Sequence, residues 1–140
     1  MNAQRERQPT KEKREYWLSA ERKVGSYPEH TDGGGKWLIF VPSDAVDEIW
    51  QNVKRAVEEV KLGSTAKVST AKPNPNSTDS SSHVICVYTY DASDEANVRQ
   101  IRSSLRDLDI TSKIPYKTDD ATFQDKYRKS GDKRISLYYE

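Results

Sequence analysis

Two hydrophobic periods, near 2 and near 3.6, alternate along this chain, and the points where one gives way to the other mark out its elements. Lys36-Trp37-Leu38-Ile39-Phe40-Val41 is apolar at nearly every position and is closed by Pro42, which predicts a strand too apolar on both faces to be an exposed edge. Val46, Ile49, Trp50, Val53, Val57 and Val60 then recur at helical spacing. Ser43 is the expected N-cap of that helix, with Asp44, Asp47 and Glu48 complementing its positive end and Gly63 stopping it. From Ala66 to Thr70 the pattern alternates, sending Val68 to one face and Lys67 and Ser69 to the other. Val84 to Tyr90 is a β-branched and aromatic run expected at the centre of a sheet. A second helix is expected after Ser93 as cap, with Val98, Ile101, Leu105 and Leu108 as its core stripe and Arg99, Arg102 and Arg106 off that stripe. Tyr16 to Ser19, Ile114 to Tyr116 and Ile135 to Tyr139 read as shorter strands.

The order is strand, strand, helix, strand, strand, helix, strand, strand. With a hairpin between residues 65 and 90, the economical packing is α+β, a mainly antiparallel sheet with two helices on one face. The face that carries Lys67 and Ser69 is then left partly open. Residues 1–14 alternate Gln, Arg, Glu and Lys without periodicity and read as a disordered charged tail, leaving residues 15–140 as a single domain. Gly25 to Gly35, with Pro28 and a triple glycine, reads as a flexible connection. Residues 71–82 and 117–134 are too polar to pack and read as mobile loops.

Composition narrows the function. At 140 residues, with a mean hydropathy of −0.96, the chain suits a small core with long polar loops. Lys and Arg number 23 against 22 Asp and Glu, so no global charge steers the protein to nucleic acid and any basic site is local. A single cysteine, Cys86, excludes an internal disulfide framework and sits in an apolar run as a buried thiol. The charged segment from Met1 to Glu15 lacks the apolar stretch of a signal peptide, and no window suits a membrane span, so a cytoplasmic protein is expected.

Lysines held by strands and flanked by hydroxyls suit a phosphate or carboxylate. Lys67 with Ser69, Lys72 just beyond, and Lys117 with Thr118 are the candidates, against the plainer reading of edge lysines that guard a sheet from aggregation. Trp17 and Trp37 are candidate stacking partners for a planar ring, with Trp37 fitting better as the anchor at its strand's start, whereas Trp50 belongs to a helix stripe. No His, Cys and carboxylate cluster has metal spacing, no cofactor motif stands out, and Ser80 to Ser82 lack the partners of a hydrolase triad. Gly33-Gly34-Gly35-Lys36 precedes a strand rather than a helix, so a phosphate loop of the Walker type is rejected. Lys126 to Arg134 is basic with one aromatic, suited to an RNA backbone or to plain solvation.

Gly35 to Phe40, the Trp50 helix, Ala66 to Ala71, His83 to Thr89 and Ile114 to Asp119 together resemble the basophilic leukemia-expressed protein family, over about residues 16–139. That resemblance implies the fold of the cap-binding translation initiation factor, a curved sheet with helices on its convex side and a concave ligand side. It implies a phosphorylated nucleotide or RNA held by basic strand residues and an aromatic ring. Cap-binders sandwich the base between two loop tryptophans beside an acidic residue; no Trp–Glu pair stands in a matching loop here, and Trp17 is the candidate half of such a sandwich. The same strands are similar to those of bacterial phosphothreonine lyases, which implies Lys67 as base, Lys36 or Lys117 on the phosphate and His83 as acid. Leu38 stands where those enzymes carry their acid histidine. The expected function is a non-catalytic module for a phosphorylated ligand, with the lyase and a protein-interaction scaffold as alternatives.

Overall fold

The computed structural model describes residues 7–23, 25–59, 61–73, 82–119 and 138–140. Along the chain these form β1 (Trp17–Glu21), β2 (Gly35–Pro42), α1 (Ser43–Glu58), β3 (Thr65–Ser69), β4 (Ser82–Thr89), α2 (Glu95–Arg106), β5 (Pro115–Thr118) and β6 (Tyr138–Tyr139). The strands make one six-stranded sheet in the order β1-β3-β4-β2-β5-β6, and every ladder is antiparallel. The element order and the α+β class are those expected from the hydrophobic pattern.

Register explains why one face closes. Ala20, Ala66, Val87, Trp37, Tyr116 and Tyr138 lie opposite one another in a single row that crosses all six strands. Leu18, Val68, Ile85 and Ile39 form the next row. Side chains in such rows share a face, and these pack into one core with Val46, Trp50, Val53 and Val57 of α1 and Val98, Ile101 and Leu105 of α2. Trp37 is completely buried, its Nε1 donates to the Val98 carbonyl of α2 at 3.1 Å, and its ring meets Tyr116 edge-on at 5.3 Å. Among the described residues no helix lies on the opposite face.

Several local expectations change. Pro42 occupies the N-cap of α1 without a side-chain bond, and Ser43 is the first helical residue. Asp94, not Ser93, caps α2, accepting from the Asn97 N–H at 3.1 Å, while the Ser93 hydroxyl donates to Asp91. An aspartate closer to the first turn outcompetes the serine because its carboxylate also meets the helix dipole. Gly63 lies beyond the end of α1, and a Cβ there would fall 2.4 Å from the Tyr88 carbonyl; close backbone approach is its role. Arg102, expected off the core stripe, is fully buried, and donates to the carbonyls of Glu140, Ile110 and Ser112 at 2.5, 2.8 and 2.7 Å. It ties α2 to the segment that leads into β5 and to the end of β6.

The connection over residues 25–35 is fixed rather than loose: the Tyr27 hydroxyl donates to Asn97, and Thr31 and Ala92 exchange backbone bonds with Tyr90 and Gly33. Residues 7–14, assigned to a disordered tail, are packed. Pro9 and Glu12 are buried, and Thr10 bonds to Asp47 of α1. Lys117 and Thr118 belong to β5 instead of opening a loop. Most of both expected mobile loops, and the basic stretch from Lys126 to Arg134, lie outside the described residues.

Candidate functional site on the open face of the sheet

The face without helices is assembled by the same register, one residue out of phase. Ser19, Lys67, Cys86 and Leu38 form one row across β1, β3, β4 and β2, and Tyr88, Lys36 and Lys117 form the next across β4, β2 and β5. Trp17, opposite Ser69, and Phe40, opposite Val84, stand at the same end of this surface. Leu38 and Cys86 form a buried floor, while Trp17 and Phe40 are 38% and 62% exposed. An apolar floor with aromatic rims and lysines is thus built from three adjacent strands and their neighbours.

The lysines converge on the rings. The Lys67 ammonium lies 4.2 Å from the centre of the Trp17 ring and 5.9 Å from that of Tyr88. The Lys36 ammonium lies 5.7 Å from the Tyr88 ring on its other flank. At such distances the negative ring faces attract the cations without consuming their N–H donors. Among the described residues Lys67 makes no ion pair, whereas Lys36 is bonded to Asp119, which also holds His30 Nε2 at 2.8 Å. Lys117 is directly across from Lys36. Like charges facing each other across a ladder are unfavourable, and Asp119 offsets that only on the Lys36 side.

Burial disfavours the ionised forms of the thiol and the phenol on this face. Burial pushes the Cys86 thiol above its usual range, and the nearby Lys67 and Lys36 charges pull it back only in part. Burial likewise raises the Tyr88 phenol, with Cys86 and Asp119 adding to the effect. Both shifts favour the neutral form.

The remaining candidates disperse. Trp37 is spent in the core on the helix face and offers no surface to a ligand. Thr118 is buried on that same face, opposite Gly35, and so does not accompany Lys117. The Ser69 hydroxyl accepts from the Val84 N–H at 3.0 Å, which binds it into the β3–β4 hairpin. Lys72 sits beyond β3, 4.2 Å from the Tyr16 ring, and donates to the Arg14 carbonyl at 3.0 Å. His83 lies in the Val41 row behind the sheet, buried, with Nδ1 2.9 Å from the Ser69 carbonyl. A histidine on the far face has no path to a ligand near Lys67, so His83 does not take the acid's place assigned to it.

Tyr88, His30 and Asp119 were not singled out from the sequence. Tyr88 was within reach: two residues from Cys86 on one strand, it must share a face with Lys67 once the hairpin is registered. His30 had no local signal. Its ring is accommodated only because residue 34 is glycine, where a Cβ would stand 2.1 Å from His30 Nε2.

A six-stranded antiparallel sheet, closed by helices on one side and bearing lysines and rings on the other, defines an α+β protein with the fold of the eIF4E cap-binding factor. A schistosome eIF4E crystallised with m7GpppA and 4E-BP matches it with a TM-score of 0.52 at 16% identity, over 77% of this chain and 59% of that one. The chain belongs to the family of basophilic leukemia-expressed protein Bles03, whose model matches residues 5–124. Among the described residues no group of His, Cys, Asp and Glu is arranged to hold a metal ion, and no helix is long and apolar enough to cross a membrane.

Proposed function

We propose that this protein is a binding module for a phosphorylated ligand with a planar ring, a nucleotide or an RNA end, received on the open face of the sheet. One observation carries the reading: the Lys67 ammonium rests on the Trp17 ring at 4.2 Å with no carboxylate beside it among the described residues, and Lys67 and Lys36 both approach the Tyr88 ring, at 5.9 and 5.7 Å. Rings position the cation and leave its donors unspent, which is the state a phosphate-binding lysine requires. Trp17 and Phe40 supply exposed ring surface close by for stacking. The schistosome eIF4E that shares this fold was crystallised with m7GpppA, which supports a nucleotide as the class of ligand.

Lys67, Lys36 and Lys117 are assigned to the anion, and Trp17 to the ring. Lys72, Ser69, Thr118 and Trp37 are left out because their positions are consumed elsewhere. The direct test is equilibrium titration of nucleoside triphosphates and short 5′-phosphorylated RNA, by fluorescence anisotropy at low and physiological salt. Micromolar or tighter binding that weakens as salt rises is expected. Failure of the wild-type protein to bind any of these ligands at either salt would remove the reading.

A further inference from the structure

We infer that Thr10 is a phosphorylation site whose modification releases residues 7–14 from helix α1. This segment has no helix or strand of its own and is held to the body of the protein at few points. The Thr10 N–H donates to Asp47 Oδ1 at 3.0 Å, and the Thr10 hydroxyl donates to Asp47 Oδ2 at 2.5 Å. The Pro9 carbonyl accepts from the Ala71 N–H at 2.9 Å. At its far end the Arg14 carbonyl accepts from the Lys72 ammonium at 3.0 Å, and Pro9 and Glu12 are buried; the segment's other bonds are internal, Gln8 accepting from Lys11 and Glu12, Arg7 pairing with Glu12, and Glu12 accepting from the Arg14 and Glu15 N–H groups. Asp47 alone takes two of these bonds, and the Thr10 hydroxyl is the side chain that the segment offers to α1.

The sequence around that hydroxyl has a basic pattern, Arg5-Glu6-Arg7-Gln8-Pro9-Thr10. Arginines three and five residues before a threonine suit a kinase whose peptide groove carries carboxylates, because each guanidinium forks onto one of them. Only a short, weakly held strap has to open for such a groove to take it, and segments of this kind open locally at low cost. The co-reactant is ATP. Its γ-phosphorus forms a bond to Thr10 Oγ1 while its bond to the bridging oxygen breaks; ADP leaves, and the hydroxyl proton passes to the kinase's base.

The product cannot dock as the hydroxyl does. The donated hydrogen is gone, and a group of about −1.5 to −2 charges stands where a carboxylate was the acceptor. The positive end of α1 attracts a phosphate, but Asp44 in its first turn and Asp47 itself already occupy that end. Repulsion at hydrogen-bond distance prevails over the weaker dipole. This inference is independent of the ligand reading, although the released strap leads directly into β1 and Trp17.

The full-length chain is to be incubated with ATP and an arginine-directed serine/threonine kinase, the modified residue located by tandem mass spectrometry, and cleavage at Lys11, Lys13 and Arg14 followed with trypsin. Phosphate on Thr10 is expected, together with cleavage about tenfold faster or more, from the loss of bonds to a charged group. Thr10→Glu is expected to move in the same direction, and Thr10→Val only a few-fold, since it keeps the backbone bond. Asp47→Arg should invert the order, so that the phosphorylated protein is cleaved more slowly than the unmodified one. Phosphorylation confined to other residues, or phospho-Thr10 with unchanged cleavage, would overturn the inference; a melting curve for each variant separates strap release from global unfolding.

Discussion

Arg102 and Lys67 are both cations set against tryptophan rings of one sheet, on its opposite faces. The Arg102 guanidinium is 5.9 Å from the Trp37 ring and the Lys67 ammonium 4.2 Å from the Trp17 ring. On the helix face Arg102 is sealed in, and its Nε, Nη1 and Nη2 each donate to a backbone carbonyl. On the open face Lys67 is half-buried between rings, with no acceptor among the described residues. The difference separates structure from function in a cation. A buried charge whose donors are all matched holds segments together; a charge placed by ring faces, with its donors idle, is ready for a partner from outside.

Substitutions sharpen that contrast, and the largest effect belongs to the closed face. Trp37→Ala removes a fully buried ring and its bond to Val98, and is expected to cost about 3–5 kcal/mol in a denaturant melt. Arg102→Met keeps much of the volume but strands three carbonyls, for an expected loss of about 2–4 kcal/mol. Neither change should alter ligand affinity at temperatures where the variant stays folded. Lys67→Ala reverses the profile: stability within about 1 kcal/mol of wild type, and affinity for the phosphorylated ligand reduced about tenfold or more. If Lys67→Ala melted like Arg102→Met and bound normally, the two cations would be of one kind and the contrast would fail.

The smallest expected effect is a pH dependence that belongs to neither cation. Asp91 and Asp94 are held below the usual carboxylate range, Asp91 chiefly by the Ser93 N–H and Asp94 chiefly by the Tyr90 hydroxyl. A carboxylate with a lowered folded-state pKa contributes stability above its unfolded value, about 3.9, and loses it as pH falls through the folded one. Melting temperature should therefore decline below about pH 4, and Asp94→Asn should shallow that decline without changing ligand affinity. A decline of equal steepness in Asp94→Asn would detach this cap from the acid response.

The sheet was legible because strand and helix periods are carried by the apolar residues themselves. Val68 and Lys67 could be sent to opposite faces from alternation alone, and the hairpin from β3 to β4 followed from the polar stretch between two strand patterns. What alternation could not supply was which positions sit across from each other. Lys36 faces Lys117 and Trp37 faces Tyr116, pairings between strands about 80 residues apart that only the assembled sheet defines. Trp37 could be read as a ring platform or as a strand-start anchor, and its parity, which puts it in the core row, decides for the anchor. Arg102 was misjudged because charge was taken as a sign of exposure, whereas three carbonyls arriving from residues 110, 112 and 140 make burial affordable. The N-terminal segment looked featureless since its order depends on isolated bonds to Asp47, Ala71 and Lys72, not on a period.

The measurement closest to the central claim is a titration followed through the three indole N–H resonances in a nitrogen-15 correlation spectrum, with a nucleoside triphosphate as ligand. Trp37 and Trp50 are buried on the helix side and serve as internal references, while Trp17 carries the Lys67 ammonium on the open face. The account predicts that the Trp17 signal moves with saturation, that the other two stay in place, and that Lys67→Ala abolishes the shift at the same ligand concentration. A saturating ligand that leaves Trp17 unmoved would contradict it.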